Sequence, residues 1–203
     1  MDFTDTQRGA LTRLLDKLGP DAPTIIDWTT HDLAAHLWVR ENDLLALPGI
    51  GIPALAGLTE KRMERAKARY AYPELVRRLR RPPFWTKLLK AANAVEFFVH
   101  KMDVLRANPT LEYAPPTPDQ EDVLWGKVRL LSFRLRKGPA GIVLERSDTG
   151  QTRRVSPGAQ TVTVLGRPSE LLMYLTGRLE HARVEFVGTD HAVPLVRDAA
   201  LGL

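Results

Sequence analysis

The N-terminal half of the chain places its apolar residues at the spacing of an α-helix. The leucines between Leu11 and Leu18 recur every three or four residues, and Gly19-Pro20 ends this first predicted helix. A second helix is predicted to begin at Thr29 or Thr30, because Thr29 and Asp32 form a plausible capping pair. Its apolar positions continue to Leu44.

Two further helical regions follow a loop rich in glycine and proline at residues 47–57. The first covers residues 59–81 and is expected to break before Pro73. The second starts after Pro82-Pro83 and continues to about Ala107. Four helices with short or medium connections predict a four-helix bundle.

The pattern changes at residues 108–118, where four prolines in eleven positions favour an extended connection. We therefore predict two domains, residues 1–110 and residues 111–203. In the second domain apolar residues alternate with a period of two, which is typical of strands, and residues 148–151 supply a hairpin turn. The predicted strands are 141–146, 152–155, 160–165 and 182–187, and the predicted helices are 118–136, 168–178 and a short last helix. This combination predicts a small α+β domain.

The composition is that of an ordinary globular protein, with 44% apolar and 26% charged residues among 203. It excludes a disordered or fibrous chain, and no apolar run approaches the roughly 18 residues that a membrane span needs. The first residues are acidic and lack an apolar signal segment, so the expected location is the cytoplasm. The chain has no cysteine, so any thiol used in chemistry must come from outside it.

The net charge of +5 is unevenly distributed along the chain. Between Glu60 and Lys90, eleven Lys and Arg residues accompany three Glu residues. Such a block attracts nucleic acid or anionic metabolites, or forms a solvated helix face. DNA binding through residues 47–81 is one alternative, because residues 47–54 resemble the hairpin of helix-hairpin-helix modules. Nucleic acid is nevertheless a less favoured partner, since Pro53 removes a backbone donor and Gly57 weakens the following helix.

The last helix of the N-terminal half carries a polar stripe. At about 100° per residue, Asn93, Glu96, His100 and Asp103 share one face of that helix. Apolar residues border the face on both sides, so we expect the stripe to be enclosed, although Glu–His pairs at this spacing also occur on helix surfaces. A buried carboxylate and imidazole need a strong partner, and a divalent metal ion is one.

Glu96 and His100 can bind one metal ion from a single helical turn, but a third ligand must come from another helix. His36 is the best candidate, because it lies on an inward-facing part of the second helix; a hydrogen-bonded core histidine is the alternative. His31, at the start of the same helix, is expected to be exposed or capping. Two histidines and one glutamate leave a coordination position open, which is typical of catalytic metal sites.

The two remaining residues of the stripe have candidate roles of their own. Asp103 could orient a metal ligand or act on substrate as a catalytic group, and a solvated acid at the helix end is the alternative. Asn93 is a candidate for orienting the ligands or contacting a cofactor or substrate.

Two segments resemble the metal-site signature of the DinB-like metalloproteins. They are Trp28-Thr-Thr-His-Asp-Leu-Ala-Ala-His36-Leu and Val95-Glu96-Phe-Phe-Val-His100-Lys-Met-Asp103. Within that superfamily they are most similar to the actinobacterial branch related to mycothiol-dependent maleylpyruvate isomerase. The resemblance implies a metal-binding four-helix bundle followed by a small α/β domain similar to sterol-carrier folds. It also implies a metal, most often zinc, held by His36, Glu96 and His100, and a low-molecular-weight thiol such as mycothiol as co-substrate.

Gly177-Arg178 resembles the helix end at which this family often carries an arginine that faces the site. Arg178 is therefore a second candidate catalytic residue, although an arginine at a helix C-terminus is also a favourable partner of the helix dipole. No residue of the sequence identifies maleylpyruvate as the substrate.

Taken together with this resemblance, the sequence implies a zinc-dependent enzyme that activates a low-molecular-weight thiol for transfer or isomerisation of a small anionic substrate. The metal would lower the pKa of a bound thiol or water, and the basic residues between Lys61 and Lys90 would attract anions. A non-catalytic metal-binding protein or sensor is the main alternative. A homodimer is also left open, since related bundles often pair.

Overall fold

The structure is a computed structural model that describes residues 2–43, 56–135 and 140–197. The chain divides into two compact units, Met1–Tyr113 and Ala114–Gly202. The division lies inside the proline-rich segment at residues 108–118. Among the described residues, no helix combines the length and the apolar character that a membrane crossing requires.

The first unit is built from helices. They are α1 (Phe3–Leu18), α2 (Thr30–Asn42), α3 (Ala56–Arg69), α4 (Tyr72–Leu79) and α5 (Lys90–Ala107), with a 3-10 helix at Phe84–Leu89. The predicted break before Pro73 is confirmed, because α3 and α4 are separate helices and Pro73 lies in the first turn of α4. The predicted start after Pro82-Pro83 is also confirmed, although the first turns there are 3-10. Leu44 and residues 47–55 of the predicted loop lie outside the described residues.

Local sequence signals set the ends of α1 and α2. Gly19 follows α1 with a φ of 78°, in the left-handed region that glycine tolerates. The capping pair predicted for α2 is confirmed: the backbone N–H of Asp32 donates to Oγ1 of Thr29 at 3.1 Å. In return the backbone N–H of Thr29 donates to the Asp32 carboxylate at 3.0 Å. This reciprocal cap fixes the start of the helix that carries His36.

An apolar core holds these helices together. In this unit α1 packs against α5, and α2 packs against α3 and α4. The largest contributions come from buried leucines and an aromatic ring, among them Leu11, Leu15, Leu33, Leu37, Leu75, Leu79 and Phe97. Each such side chain stabilises the fold by about 1.5–3 kcal/mol through burial. The core therefore provides a rigid frame for the polar residues that α2 and α5 carry.

The second unit combines helices with a small mixed sheet, so the predicted α+β character is confirmed. Its elements are α6 (Pro118–Leu131), β1 (Gly141–Arg146), β2 (Thr152–Ser156), β3 (Thr161–Gly166), α7 (Pro168–Leu175), β4 (Glu185–Val187) and α8 (Ala192–Arg197). Short 3-10 helices lie at Ser132–Leu135 and Leu179–His181. The strand order is β2-β1-β3-β4, with β1 and β3 parallel and the outer pairs antiparallel.

Three of the predicted elements in this unit are shorter than expected. The predicted helix at 168–178 ends at Leu175, because Gly177 turns the chain away with a φ of 82°. The predicted strand at 182–187 pairs only over Glu185–Val187. The helix predicted to reach residue 136 ends at Leu131 and continues as a 3-10 helix. The predicted hairpin between β1 and β2 is confirmed.

Candidate metal centre

Helices α2 and α5 bring together the three side chains that the sequence proposed as metal ligands. Nε2 of His36 lies 3.8 Å from Oε2 of Glu96, and Nε2 of His100 lies 3.5 Å from the same oxygen. One ligand atom of each residue lies within 4.8 Å of the other two. The two imidazole rings meet edge to face, with 5.2 Å between their centroids.

This donor set fits a divalent metal ion. Zinc bonds of about 2.0–2.2 Å in tetrahedral geometry place neighbouring ligand atoms about 3.3 Å apart. The separations of 3.5 Å and 3.8 Å to the Glu96 oxygen exceed that value by only a few tenths of an ångström. Two imidazole nitrogens and one carboxylate oxygen are also a combination that zinc accepts. Small side-chain movements would therefore bring the Glu96 oxygen and each imidazole nitrogen to binding distance of one ion, and the two nitrogens, within 4.8 Å of each other, would close around it.

Asp103 orients one of the imidazole rings. Its side chain is 0% exposed, and Nδ1 of His100 donates to its Oδ2 at 2.9 Å. The alternative of a solvated acid at the helix end is therefore wrong for Asp103. Because Asp103 holds a proton on Nδ1, the proton that His100 loses leaves Nε2, and the lone pair freed there faces Glu96, as a metal ligand requires.

Trp28 forms an aromatic wall beside the two histidines. Its ring centroid lies 5.0 Å from that of His36 and 6.3 Å from that of His100. The loop that carries Trp28 is tied back on itself, because the backbone N–H of Thr24 donates to the Trp28 carbonyl at 2.9 Å. The same loop is fastened to α5 by a bond from the Ile25 N–H to the carbonyl of Asp103.

Glu96 and His36 are in the protonation states that metal binding requires, whereas His100 tends to keep an additional proton. Burial opposes the charge of Glu96, but His100, His36 and Arg40 outweigh it and hold the pKa of Glu96 well below its usual value. Burial lowers the pKa of His36, so this ring is neutral and ready to bind. For His100, burial is outweighed by Asp103 and Glu96, and its pKa is raised. A metal ion must therefore displace a proton mainly from His100.

The centre has one open side. His36 and His100 are 7% and 6% exposed, whereas the side chain of Glu96 keeps 24% of its surface exposed. The enclosure predicted for the polar stripe is therefore confirmed for Asn93, His100 and Asp103, whereas solvent reaches the Glu96 carboxylate. A small molecule could approach the ligand atoms from this side.

Two buried residues adjoin Glu96: Arg40 contacts its carboxylate, and Asn93 contacts Arg40. Nε of Arg40 lies 3.4 Å from Oε2 of Glu96, and its NH1 donates to the side-chain oxygen of Asn93. The Asn93 amide in turn donates to Glu41 at 3.3 Å and to the Thr86 carbonyl at 3.4 Å. Both groups of the Asn93 amide are thus engaged within this unit, and a contact with a cofactor stays a prediction.

Two further residues considered from the sequence are not members of the triad. Arg178 belongs to the second unit, where its NH1 donates to the Thr176 carbonyl, and its catalytic role stays a prediction. His31 is half-buried, with its ring 5.6 Å from that of Tyr72, rather than exposed or capping as expected. Its side chain is not part of the triad.

Six of the eleven basic residues in this block make ion pairs within the described part of the chain. Lys67 contacts Asp32 at 2.6 Å and Glu64 at 2.5 Å, while Arg77 and Arg78 both contact Glu74. These pairs reduce the charge that the block presents to an anion or to nucleic acid. The hairpin-like residues 47–54, on which the DNA-binding alternative depends, lie outside the described residues.

Sequence reasoning assigned no role to Arg40 or Trp28, although both contact the cluster. The signal for Arg40 is its position four residues after His36, which places both side chains on one face of α2. Trp28 precedes the capping residue Thr29, where an apolar side chain commonly packs back on the helix. Neither signal by itself distinguishes a site residue from a packing residue.

Comparison with solved structures shows a fold similar to that in the crystal structure of the mycothiol-dependent maleylpyruvate isomerase. The TM-score is 0.56 at 15% sequence identity, and the match covers 87% of this chain and 87% of that chain. Neither the models of known protein families nor the curated proteins give a match to the sequence. The similarity at this level of identity concerns the fold. It supports the predicted architecture of a helical part followed by a small α+β part.

Proposed function

We propose that this protein binds a divalent metal ion, zinc before other metals, through His36, Glu96 and His100. It uses the metal to activate a low-molecular-weight thiol of the mycothiol type. The reaction is transfer or isomerisation of a small anionic substrate. The observation that carries the proposal is the convergence of two imidazole nitrogens on one carboxylate oxygen at 3.5 Å and 3.8 Å.

The similarity in fold supports the thiol part of the proposal. The neighbouring structure is that of a mycothiol-dependent isomerase, and its similarity covers most of both chains. This chain has no cysteine, so a thiol nucleophile has to be supplied as a co-substrate. The open side of the centre at Glu96 gives that molecule a route to the ligand atoms.

The residues of the chain have distinct tasks in this proposal. His36, Glu96 and His100 hold the ion, and Asp103 keeps the proton of His100 on Nδ1. A metal ion bound there would act as a Lewis acid and lower the pKa of a thiol or water to near neutrality. Trp28 covers the histidines and limits the access of bulk water to them. The candidate role of Arg178 is to contact the substrate.

The first test is the metal content of protein purified without a nickel column. We expect about one divalent ion per chain, as three convergent ligands imply. The second test adds a thiol, such as glutathione or mycothiol, to the cobalt-substituted protein. We expect the visible and near-ultraviolet absorption of the cobalt to change, because the thiol takes the open coordination position.

Two other outcomes separate the alternatives. If the metal raises the unfolding temperature but thiols leave the cobalt spectrum unchanged, the protein is a non-catalytic metal-binding protein or sensor. A well-folded wild-type protein that takes up no stoichiometric metal would contradict the proposed function. The cytoplasmic location, the actinobacterial origin and a homodimer stay predictions from the sequence.

A further inference from the structure

Among the described residues, three nitrogen atoms approach Glu96, and one of them belongs to an arginine. Nε of Arg40 lies 3.4 Å from Oε2, closer than either imidazole nitrogen. Arg40 is 7% exposed, and its Nε makes no hydrogen bond with any described residue. The guanidinium group of Arg40 therefore places a positive charge beside the Glu96 carboxylate.

Hydrogen bonds on the side opposite Glu96 restrict the movement of the Arg40 guanidinium. Its NH1 donates to Asn93, and the Asn93 amide donates to Glu41 at 3.3 Å. Glu41 is itself locked by two bonds from Arg8, at 2.7 Å and 2.5 Å. Arg8 is held in turn by the Leu79 carbonyl and by the ring of Phe97 beneath it. This chain of contacts fixes the position of Arg40 relative to α5.

The two arginine–glutamate pairs of this chain of contacts differ in one respect. Both carboxylate oxygens of Glu41 accept a short bond from Arg8, so Glu41 has little capacity for a further cation. Arg40 and Glu96 approach at 3.4 Å without forming a hydrogen bond through Nε. The Glu96 oxygen therefore has room for another cation, but that cation would lie next to Arg40.

We propose that Arg40 is a fixed counter-ion of Glu96 that stabilises the metal-free centre and competes with the metal ion for Oε2. The inference rests on the proposed function for its metal part and concerns the regulation of metal loading at the same site. Arg40 is thus a positioning residue, because it acts through Glu96. The centre keeps its form without metal, and the metal is held less tightly than the three ligands alone would hold it.

The first experiment measures metal affinity by competition with a chelating dye in wild type, Arg40→Met and Arg40→Gln. Removing the charge is expected to tighten the binding of Zn²⁺ on the order of tenfold, as one nearby unit charge in a partly solvated site allows. The conservative variant Arg40→Lys keeps the charge and should stay within about threefold of wild type. The matched control is Arg77→Met, which removes an exposed arginine paired with Glu74.

The second experiment needs no metal. In protein treated with a chelator, Arg40→Met leaves Glu96 without its fixed counter-ion and should lower the midpoint of thermal unfolding. Glu96→Gln removes the charge that Arg40 compensates, so the double variant should lose less stability than Arg40→Met alone. This double-mutant cycle measures the pairing of Arg40 with Glu96 directly.

Each outcome bears on the inference. Weaker metal binding in the neutral variants, or a cycle without coupling, would overturn it. Neutral variants that fold only when metal is supplied would support it, whereas neutral variants that fold under neither condition would show a merely structural arginine and overturn it. If neither wild type nor Arg40→Met binds metal, the proposed function and the competition both fail. The unfolding cycle then still decides whether Arg40 is the counter-ion of Glu96.

Discussion

Arg146 in the second unit and Glu96 in the first unit are both charged side chains inside the protein, but their charges are compensated differently. Arg146 is 2% exposed, and its guanidinium donates to Asp148 at 2.9 Å and 2.8 Å and to Asp122 at 2.6 Å. Around Glu96 the approaching nitrogens stay at 3.4–3.8 Å. Nδ1 of His36 also has no hydrogen-bond partner among the described residues.

This difference separates a structural cluster from a binding cluster. A buried charge is costly unless it is paired and hydrogen-bonded, and the contacts of Arg146 meet that condition with residues of the chain itself. In the cluster at Glu96, the described residues meet the hydrogen-bonding needs of the polar atoms only in part. The two imidazole nitrogens that face the Glu96 oxygen at 3.5 Å and 3.8 Å are, with that oxygen, the atoms that a metal ion would draw together. Metal should therefore change the stability of the cluster at Glu96 and leave that of the cluster at Arg146 unchanged.

The largest expected effect comes from removing a ligand. His100→Ala should weaken metal binding by more than about 100-fold, since even the loss of a residue that only supports a ligand costs 10–100-fold. The measurement is the metal content of the purified protein together with a competition titration. The alanine variant should fold with reduced stability, because the ring lies outside the apolar core but the buried Asp103 carboxylate loses its bond from Nδ1.

The matched control for this prediction is His31→Ala. His31 lies on the same helix as His36, but its ring packs against Tyr72 outside the triad. The control should bind metal as the wild type does. Equal losses of metal in the two variants would mean that the binding is adventitious and that the triad is not a metal centre.

The pH dependence of metal binding should show that one proton is released for each metal ion bound. The pKa of Glu96 is held well below its usual value and that of His36 is lowered, so neither binds a proton near neutrality. The pKa of His100 is raised, and below it the affinity should fall about tenfold per pH unit. Above that pKa the affinity should level off. Competition titrations at several pH values measure the slope.

Asp103→Asn sharpens this second prediction. Asp103 raises the pKa of His100, so replacing Asp103 by a neutral residue should lower that pKa. The pH range in which the metal affinity is constant should then extend to lower pH. The affinity on the level region should be reduced as well, because the His100 ring loses its charged acceptor. A slope of two protons in the wild type would contradict the assigned states of His36 and His100.

The sequence predicted which three side chains meet at this cluster because their signal is local. Glu96 and His100 are one turn apart, so their shared face follows from helical geometry alone. His36 required only the additional assumption that the apolar side of its helix faces inward. The role of Arg40 could not be predicted in this way, because a long arginine side chain can reach solvent from almost any helix face. Its contact with Glu96 depends on how α2 and α5 pack together.

The same reasoning explains which element boundaries were predicted well. The start of α2 depends on Thr29 and Asp32, two neighbours in sequence whose side chains bond each other's backbone. The length of β4 depends instead on how far β3 pairs with it, which adjacent residues do not encode. Only Glu185–Val187 find partners, so the strand is shorter than its alternating pattern suggested.

A third prediction concerns the closed cluster in the second unit. Arg146→Met should lower the free energy of unfolding by about 2 kcal/mol, because it removes charge-assisted bonds from a buried position. The cost is limited by Asp122, which is 68% exposed and can return to water. Denaturant unfolding should show the same loss with and without a chelator. The control, Arg154→Met, removes an exposed arginine of β2 and should cost less than about 0.5 kcal/mol. A loss at Arg146 that depends on metal would contradict the comparison of the two clusters.

The smallest expected effect is at the start of α7. Its first residue, Pro168, has no N–H, and Arg167 before it provides no side-chain cap. The carboxylate of Glu121 on α6 takes the place of a cap. It accepts hydrogen bonds from the backbone N–H and the hydroxyl of Ser169, both at 2.8 Å. Glu121→Ala should cost about 1 kcal/mol, as the loss of a helix cap does, and Glu121→Gln less, because its amide oxygen still accepts the N–H bond. Asp119→Ala removes an exposed acid from the first turn of the same helix and serves as the control in denaturant unfolding. If the alanine variants at 121 and 119 lose equal stability, the carboxylate acts through the general charge of α6, and the bond to Ser169 contributes nothing.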